Sequence, residues 1–299
     1  MSSLINTVCK SPKRYPFLAL AVVFSVSLFL SAQEGALRAP TGTFAGNAAS
    51  IGASGNGSGT FYLIGPSVSV KRDIELGHDI LLSANELQNA GRYVAIVCLS
   101  ECSSIGFFVA PSKPVTLTFL VHPSRAPVSQ SGVIDGVAMP FDEFHNLVLA
   151  PANVHFEWGA KDSNPISRVV QTRDGVAWFR TSSGKKAGPL QVSASIDDLT
   201  ATRVVQQVAS EPCSLRIKGQ PTPKGVVVET DPVRDCSGNP VPDGTIVTFT
   251  AKNGDEISFV DAPVKQDVAR ATLLVKVPVI VSAASGVAMG NELRLSGKD

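Results

Sequence analysis

The side chains with chemistry to offer in this sequence are five cysteines, four histidines, two tryptophans and a group of acids near residue 235. Cys98 and Cys102 flank Leu-Ser-Glu at what the pattern marks as a hairpin tip, and Cys213 stands 23 residues before Cys236. In an oxidising compartment these four pair as two disulfides, the second closing a loop worth about 3 kcal/mol of chain entropy. Structural zinc is the alternative, but it wants close-spaced ligand pairs, which the wide Cys213–Cys236 interval does not supply. His78, His122, His145 and His155 occur singly, without the helical spacing or adjacent carboxylates of a metal or hydrolytic centre, and read as surface or strand-edge residues. Asp231, Asp235 and Asp243 gather around Asn239 and offer oxygens to calcium, although turn and strand-end duties account for the same residues. Trp158 and Trp178, with Phe156 and Phe179, suggest an aromatic platform for a sugar. Phe156 and Trp158 share one strand face, as do Val176 and Trp178, so core packing between two sheets is the preferred reading. No G-x-S-x-G elbow is present. The residues therefore name no catalytic group, cofactor or metal, and the chain is expected not to be an enzyme.

The elements that must position these residues are short. Runs rich in Val, Ile, Thr and Phe recur about every ten residues, divided by Gly, Pro, Asn and Asp. Strands are expected over 61–64, 80–83, 92–98, 106–110, 115–121, 133–139, 154–158, 176–180, 190–196 and 201–208, with one helical turn near Asn85–Ala90. Without amphipathic helices between them, such strands build antiparallel sandwiches and not a parallel α/β sheet.

Ahead of the strands, Lys10, Lys13 and Arg14 precede the uncharged run Phe17–Ala32, which reads as an export segment. Its length suits either a cleavable signal or a retained membrane anchor over residues 1–34. Residues 35–59 are small and glycine-rich, and they read as a flexible linker. Gly55, Gly57 and Gly59 are not followed by a helix that would make them a phosphate cradle. The 26 basic and 25 acidic residues nearly cancel, which removes the whole-chain field that nucleic acid binding draws on.

An internal repeat organises the rest. At an offset of 93 residues, Asn146–Phe156 lies over Asn239–Phe249, with asparagine and phenylalanine in register at the two ends. Downstream, Gly175–Trp178 parallels Asp267–Arg270 and Leu190–Ala194 parallels Val279–Ala283. Units over 114–208 and 209–299 follow, leaving 60–113 as a small β domain or partial sandwich.

The segment Gly238–Thr250, with Val268–Leu273 and Val281–Ala283, resembles the bacterial immunoglobulin-like repeats of the invasin and intimin type, most closely over residues 212–286. Asn239, Pro240 and Asp243-Gly244 match turns of that pattern, and Asp174–Ala177 carries its turn-and-strand signature in the central unit. The last unit departs from it, since Val264–Asp267 lacks the glycine. The resemblance implies an all-β chain of tandem immunoglobulin-like sandwiches, preceded by a small β domain and an N-terminal apolar helix. It further implies a non-catalytic exported envelope protein, anchored or released, whose modules are structural or adhesive and touch another envelope or surface protein. A carbohydrate-binding surface protein is the second reading, and an accessory domain of a hydrolase the third.

Overall fold

The computed structural model describes residues 36–161 and 163–296. The apolar run Phe17–Ala32, with the helix, signal or anchor expected there, lies outside the described residues. Among those residues no helix is long and apolar enough to cross a membrane.

Three hydrophobic cores follow one another along the chain. The first lies between strands β1 (Leu37–Arg38), β2 (Ala49–Ala53), β3 (Ser58–Ile64), β4 (Ser69–Glu75), β5 (Ile80–Leu82), β6 (Gly91–Cys98) and β7 (Cys102–Val109). These form sheets ordered β1-β2-β5 and β4-β3-β6-β7. A 3₁₀ turn, Ala84–Leu87, precedes β6, and Glu86 caps it by accepting from the Ser83 N–H at 2.7 Å.

The second core lies between β8 (Thr116–His122), β9 (Arg125–Pro127), β10 (Ile134–Phe141), β11 (Asn153–Ala160), β12 (Ile166–Gln171), β13 (Ala177–Thr181), β14 (Gly188–Ile196) and β15 (Leu199–Val208). Its sheets run β8-β10-β13 and β12-β11-β14-β15-β9. The third unit contains β16 (Pro212–Ser214), β17 (Ile217–Thr222), β18 (Gly225–Thr230), β19 (Arg234–Asp235), β20 (Ile246–Asn253), β21 (Glu256–Lys265), β22 (Val268–Leu273), β23 (Val279–Ser285), β24 (Ala288–Met289) and β25 (Leu293–Leu295). There β21 pairs with β20 over most of its length and then with β22 through Val264 and Lys265, so one strand passes from one sheet to the other.

Two features recur in all three units. The first strand of a late hairpin, β6, β14 or β23, packs beside β3, β11 or β20. One parallel contact also closes each unit, at Phe44 with Ala110, along β9 with β15, and at Leu215 with Gly290. Alternation builds the cores. On β11 Val154, Phe156 and Trp158 point in, and on β14 Leu190, Val192, Ala194 and Ile196 do the same. Phe156 lies 4.6 Å from Phe179 and Trp158 stacks on Phe179 at 4.8 Å between ring centroids. Gly136 makes room for that cluster, because a Cβ there would fall 2.1 Å from the Phe179 ring.

The first unit corrects the expected organisation. Residues 35–59 are not a linker throughout: β1, β2 and the start of β3 lie there, and Ala45, Ile51 and Ala53 are buried. Residues 60–113 are accordingly the partial sandwich of the two alternatives, completed by strands that begin before residue 40, and not a separate small β domain. The physical reason is a division of labour. Of the early strands only Ile51 contributes a large buried residue, beside Ala53, while Phe61, Leu63, Tyr93 and Phe107 supply most of the apolar area that offsets ordering.

Candidate functional site

The duplicated feature with the most elaborate polar chemistry is a buried Asp-Asn pair where one unit meets the next. Asp142 and Asn146 follow β10, and Asp235 and Asn239 stand at the same places 93 residues on. Asp142 is 2% exposed and Asp235 4%. A buried carboxylate needs donors, and these have them.

At the first joint, Asp142 Oδ1 accepts from the N–H of Phe144 at 3.0 Å and of Asn146 at 2.8 Å. Its Oδ2 accepts from the Ser112 N–H at 3.0 Å and from Asn146 Nδ2 at 2.9 Å. Asn146, so oriented, reaches into the first unit: its Oδ1 accepts from Ala90 N–H and its Nδ2 donates to Gln88 O, both at 2.8 Å. Ser112 Oγ completes the contact by donating to Ala45 O at 2.6 Å.

The second joint repeats this atom for atom. Asp235 Oδ1 accepts from Ser237 N–H at 2.8 Å and Asn239 N–H at 2.9 Å, and Oδ2 accepts from Ser210 N–H and Asn239 Nδ2, both at 3.0 Å. Asn239 Oδ1 then accepts from Ala187 N–H and its Nδ2 donates to Lys185 O, both at 2.8 Å, while Ser210 Oγ donates to Val128 O at 2.7 Å. Each aspartate thus clamps the connecting chain and aims an asparagine whose amide satisfies a donor and an acceptor of the preceding unit. Burial pushes the Asp235 carboxyl up, but the N–H groups of Asn239, Ser210 and Ser237 and the Asn239 amide outweigh it and hold the group below the ordinary carboxylate range.

Local sequence explains the turn. The Asp-to-Asn loop needs a left-handed residue before the asparagine, filled by Gly238 at φ +84° and by His145 at φ +64°. His145 therefore has a conformational position, and His78, His122 and His155 are exposed like it. Asp235 and Asn239 serve the joint, Asp243 accepts from the Gln266 N–H at 2.9 Å, and Asp231 faces Lys218 at 3.9 Å. Among the described residues no group of three His, Cys, Asp or Glu converges to hold a metal.

The cysteines bond as Cys98–Cys102 and Cys213–Cys236. The first closes the β6–β7 hairpin at its last paired position. Because the ladder already holds those ends together, replacing Cys98 and Cys102 by serine is expected to shift the melting of the first unit by less than the same change at Cys213 and Cys236, as followed by calorimetry. Cys236 lies between Asp235 and Ser237, so the second bond also ties the start of the third unit to its joint.

Trp178 departs from the expected core. It is 61% exposed, and Phe179 takes the inward place, because β13 presents Ala177 and Phe179 to the facing sheet. Outside, Leu120, Val137 and Trp178 form one row across β8, β10 and β13. The matching row of the third unit is Lys218, Glu229 and Arg270 across β17, β18 and β22. Hydrogen bonds from Lys218 and Arg270 hold the Glu229 carboxyl below its ordinary range. One architecture carries an apolar row in one copy and an ion-paired row in the other. Acrylamide quenching of the single-tryptophan variants Trp158→Phe and Trp178→Phe is expected to show Trp178 several-fold more accessible than Trp158; equal protection would place Trp178 inside.

The turn lacking its glycine adopts the same shape as its counterpart. Asp174 and Gly175 have φ +50° and +78°, and Gln266 and Asp267 have +52° and +69°.

No family model matches the sequence. No curated protein matches it either. Solved structures do match. Over 87% of this chain and 96% of the other, the fold superposes on FdeC, an Escherichia coli adhesin, with a TM-score of 0.61 at 15% identity. Invasin, a bacterial integrin-binding protein, gives a TM-score of 0.51 at 12% identity, over 85% of this chain and 57% of that one. The chain has the fold of tandem immunoglobulin-like units that FdeC and invasin share.

Proposed function

We propose that this chain is a non-catalytic, exported protein of the bacterial envelope whose three sandwiches act as a jointed adhesive or structural rod touching another surface protein. The observation that carries this reading is the pair of identical joints. Domains in one chain move relative to one another by default unless their interface is well fastened. A rod that must present its far end at a distance needs that motion suppressed, and a buried carboxylate holding linker and asparagine in one geometry does so twice. Two disulfides suit an oxidising compartment, and the basic flank with the apolar run Phe17–Ala32 suits export. Likeness of fold to an adhesin and to an integrin-binding protein supports the adhesive role by analogy.

Fractionation of cells expressing the full chain, with trypsin treatment of intact cells and N-terminal sequencing, tests the proposal. The chain is expected outside the cytosol with its cysteines oxidised. Recovery from the cytosol with reduced cysteines and Met1 intact would defeat it.

A further inference from the structure

Apolar side chains scattered singly over a surface need no explanation, but several gather at the first joint. Phe44 and Phe108 of the first unit and Leu149 of the second are each about half exposed, and with Pro111 and Pro114 they line a cleft of about 670 Å³. The parallel contact of Phe44 with Ala110 puts Phe44 and Phe108 on one outward face, while Thr43, Ala45, Phe107 and Val109 turn in. The chain between the two prolines is fixed, since the Ser112 N–H donates to Asp142 and its hydroxyl to Ala45 O. Pro111 and Pro114 have no N–H to offer a strand, so a partner must enter with its side chains. Lys113 is exposed on the same lining, and among the described residues it has no ion-pair partner.

The second joint closes without these groups. Pro127 faces Val208 as Phe44 faces Ala110, and two residues earlier on the same strand Gln206 stands where Phe108 does. At the 93-residue offset Leu149 is matched by Pro242, and Lys113, next after the joint serine, is matched by Glu211. The joint therefore requires neither ring, and its second copy carries the opposite charge.

A second unexplained patch lies on the third unit. From Glu256 to Pro263 β21 pairs with β20 alone, and Ile257 and Phe259, 64% and 72% exposed, stand opposite Lys252 and Thr250 on its outer face. Thr250 and Glu157 are 93 residues apart, and Glu157 pairs with Ser167, so a serine serves in the second unit where Phe259 stands in the third. Asp255 and Glu256 immediately precede the patch, both exposed and, among the described residues, without a cationic partner.

We infer that the cleft at the first joint receives Ile257 and Phe259 from the third unit of a second copy of this chain, with Asp255 and Glu256 of that copy meeting Lys113. A protruding apolar patch and an apolar recess at different places on one molecule make a heterologous contact between copies. The charges agree with it, since two carboxylates flank the patch and an unpaired cation flanks the recess. The inference deepens the adhesive reading, on which it rests, by naming the protein touched as another copy.

Two variants of the full chain test it. Phe259→Ser removes the patch and keeps the cleft, Phe108→Gln does the reverse, and each installs the residue of the second unit, so both are expected to keep the wild-type melting temperature. When ¹⁵N-labelled Phe259→Ser chain is titrated with unlabelled Phe108→Gln chain, the amide signals of Phe44, Phe108, Lys113 and Leu149 are expected to shift, with half-saturation on the order of 100 μM. Titration with unlabelled Phe259→Ser chain is expected to be about ten-fold weaker or more, the value of one buried ring. The inference fails if Phe108→Gln chain leaves those signals unmoved up to about 1 mM, if both chains move them equally, or if the shifts fall outside the cleft. It fails too if dodecanoate moves them and neither chain does, which would give the cleft to a lipid chain. Export is read by fractionation and rod stiffness by relaxation, so this contact can fail while both stand.

Discussion

Asp235→Ala is expected to destabilise the third unit by about 3 kcal/mol and to free it from the second, because the substitution strands several donors around an emptied, buried position. The N–H groups of Ser210, Ser237 and Asn239 and the Asn239 amide all point at that carboxylate. Asn239 then loses the partner that aims it at Lys185 and Ala187. Urea unfolding of the full chain, followed through the third unit, measures the loss; a change within the ~0.5 kcal/mol of ordinary surface substitutions would show the pair to be ornamental. Acid provides an independent arm. The folded chain holds Asp235 below the usual carboxylate range, so unfolding takes up a proton in acid. Its contribution is complete above the unfolded carboxylate value near ~4 and disappears as the pH falls through the folded one. Asp235→Asn should therefore be less stable than wild type at neutral pH, and the gap should close in acid. A gap that widens in acid would contradict the assignment of the charged form.

Removing the Cys213–Cys236 bond, by replacing both residues with alanine or by reduction, is expected to cost about 3 kcal/mol for a closed loop of this length. For a unit of this size that lowers the melting temperature by roughly 12 °C or more. The position of Cys236 between Asp235 and Ser237 adds a second consequence. Ser210 and Cys213 precede the same joint on the incoming chain, so the bond and the Ser210–Asp235 contact restrain one short connection from both sides. The first joint has the Asp-Asn pair alone. Reduction should loosen the second joint and leave the first unchanged, readable as faster amide exchange at Ser210 and Asn239 but not at Ser112 and Asn146. Equal effects at both joints would show that the bond acts only by stabilising the third unit as a whole.

How far the residues disclosed these features depended on which physical quantity carried each one. Alternation was plain wherever large residues set it, as in Val154, Phe156 and Trp158, and those strands were legible. It was faint in Ala49–Ala53, where Ile51 alone is large and the covering rings of Phe61 and Tyr93 come from later strands. Ser69–Glu75 and Ile166–Gln171 escaped notice because they are edge strands rich in charge or exposure, whose pairing comes from one neighbour only. Trp178 and Phe179 are adjacent and both aromatic. Period two leaves their choice of face to register, which β10 fixes by placing Ala177 opposite Ala138. The joints were half legible. The 93-residue offset already matched Asn146 with Asn239, and extending it four residues upstream matches Asp142 with Asp235. What no spacing could convey is that both asparagines reach into the unit before them, since Gln88 and Lys185 share no obvious local pattern.

The most direct measurement is backbone ¹⁵N relaxation of the full chain at neutral pH, compared with the double variant Asp142→Ala/Asp235→Ala. Fastened joints predict one slow, anisotropic tumbling shared by all three units in the wild type, and separate, faster correlation times for each unit in the variant. Three independent correlation times in the wild type would mean that the Asp-Asn pairs hold their own loops and nothing beyond them.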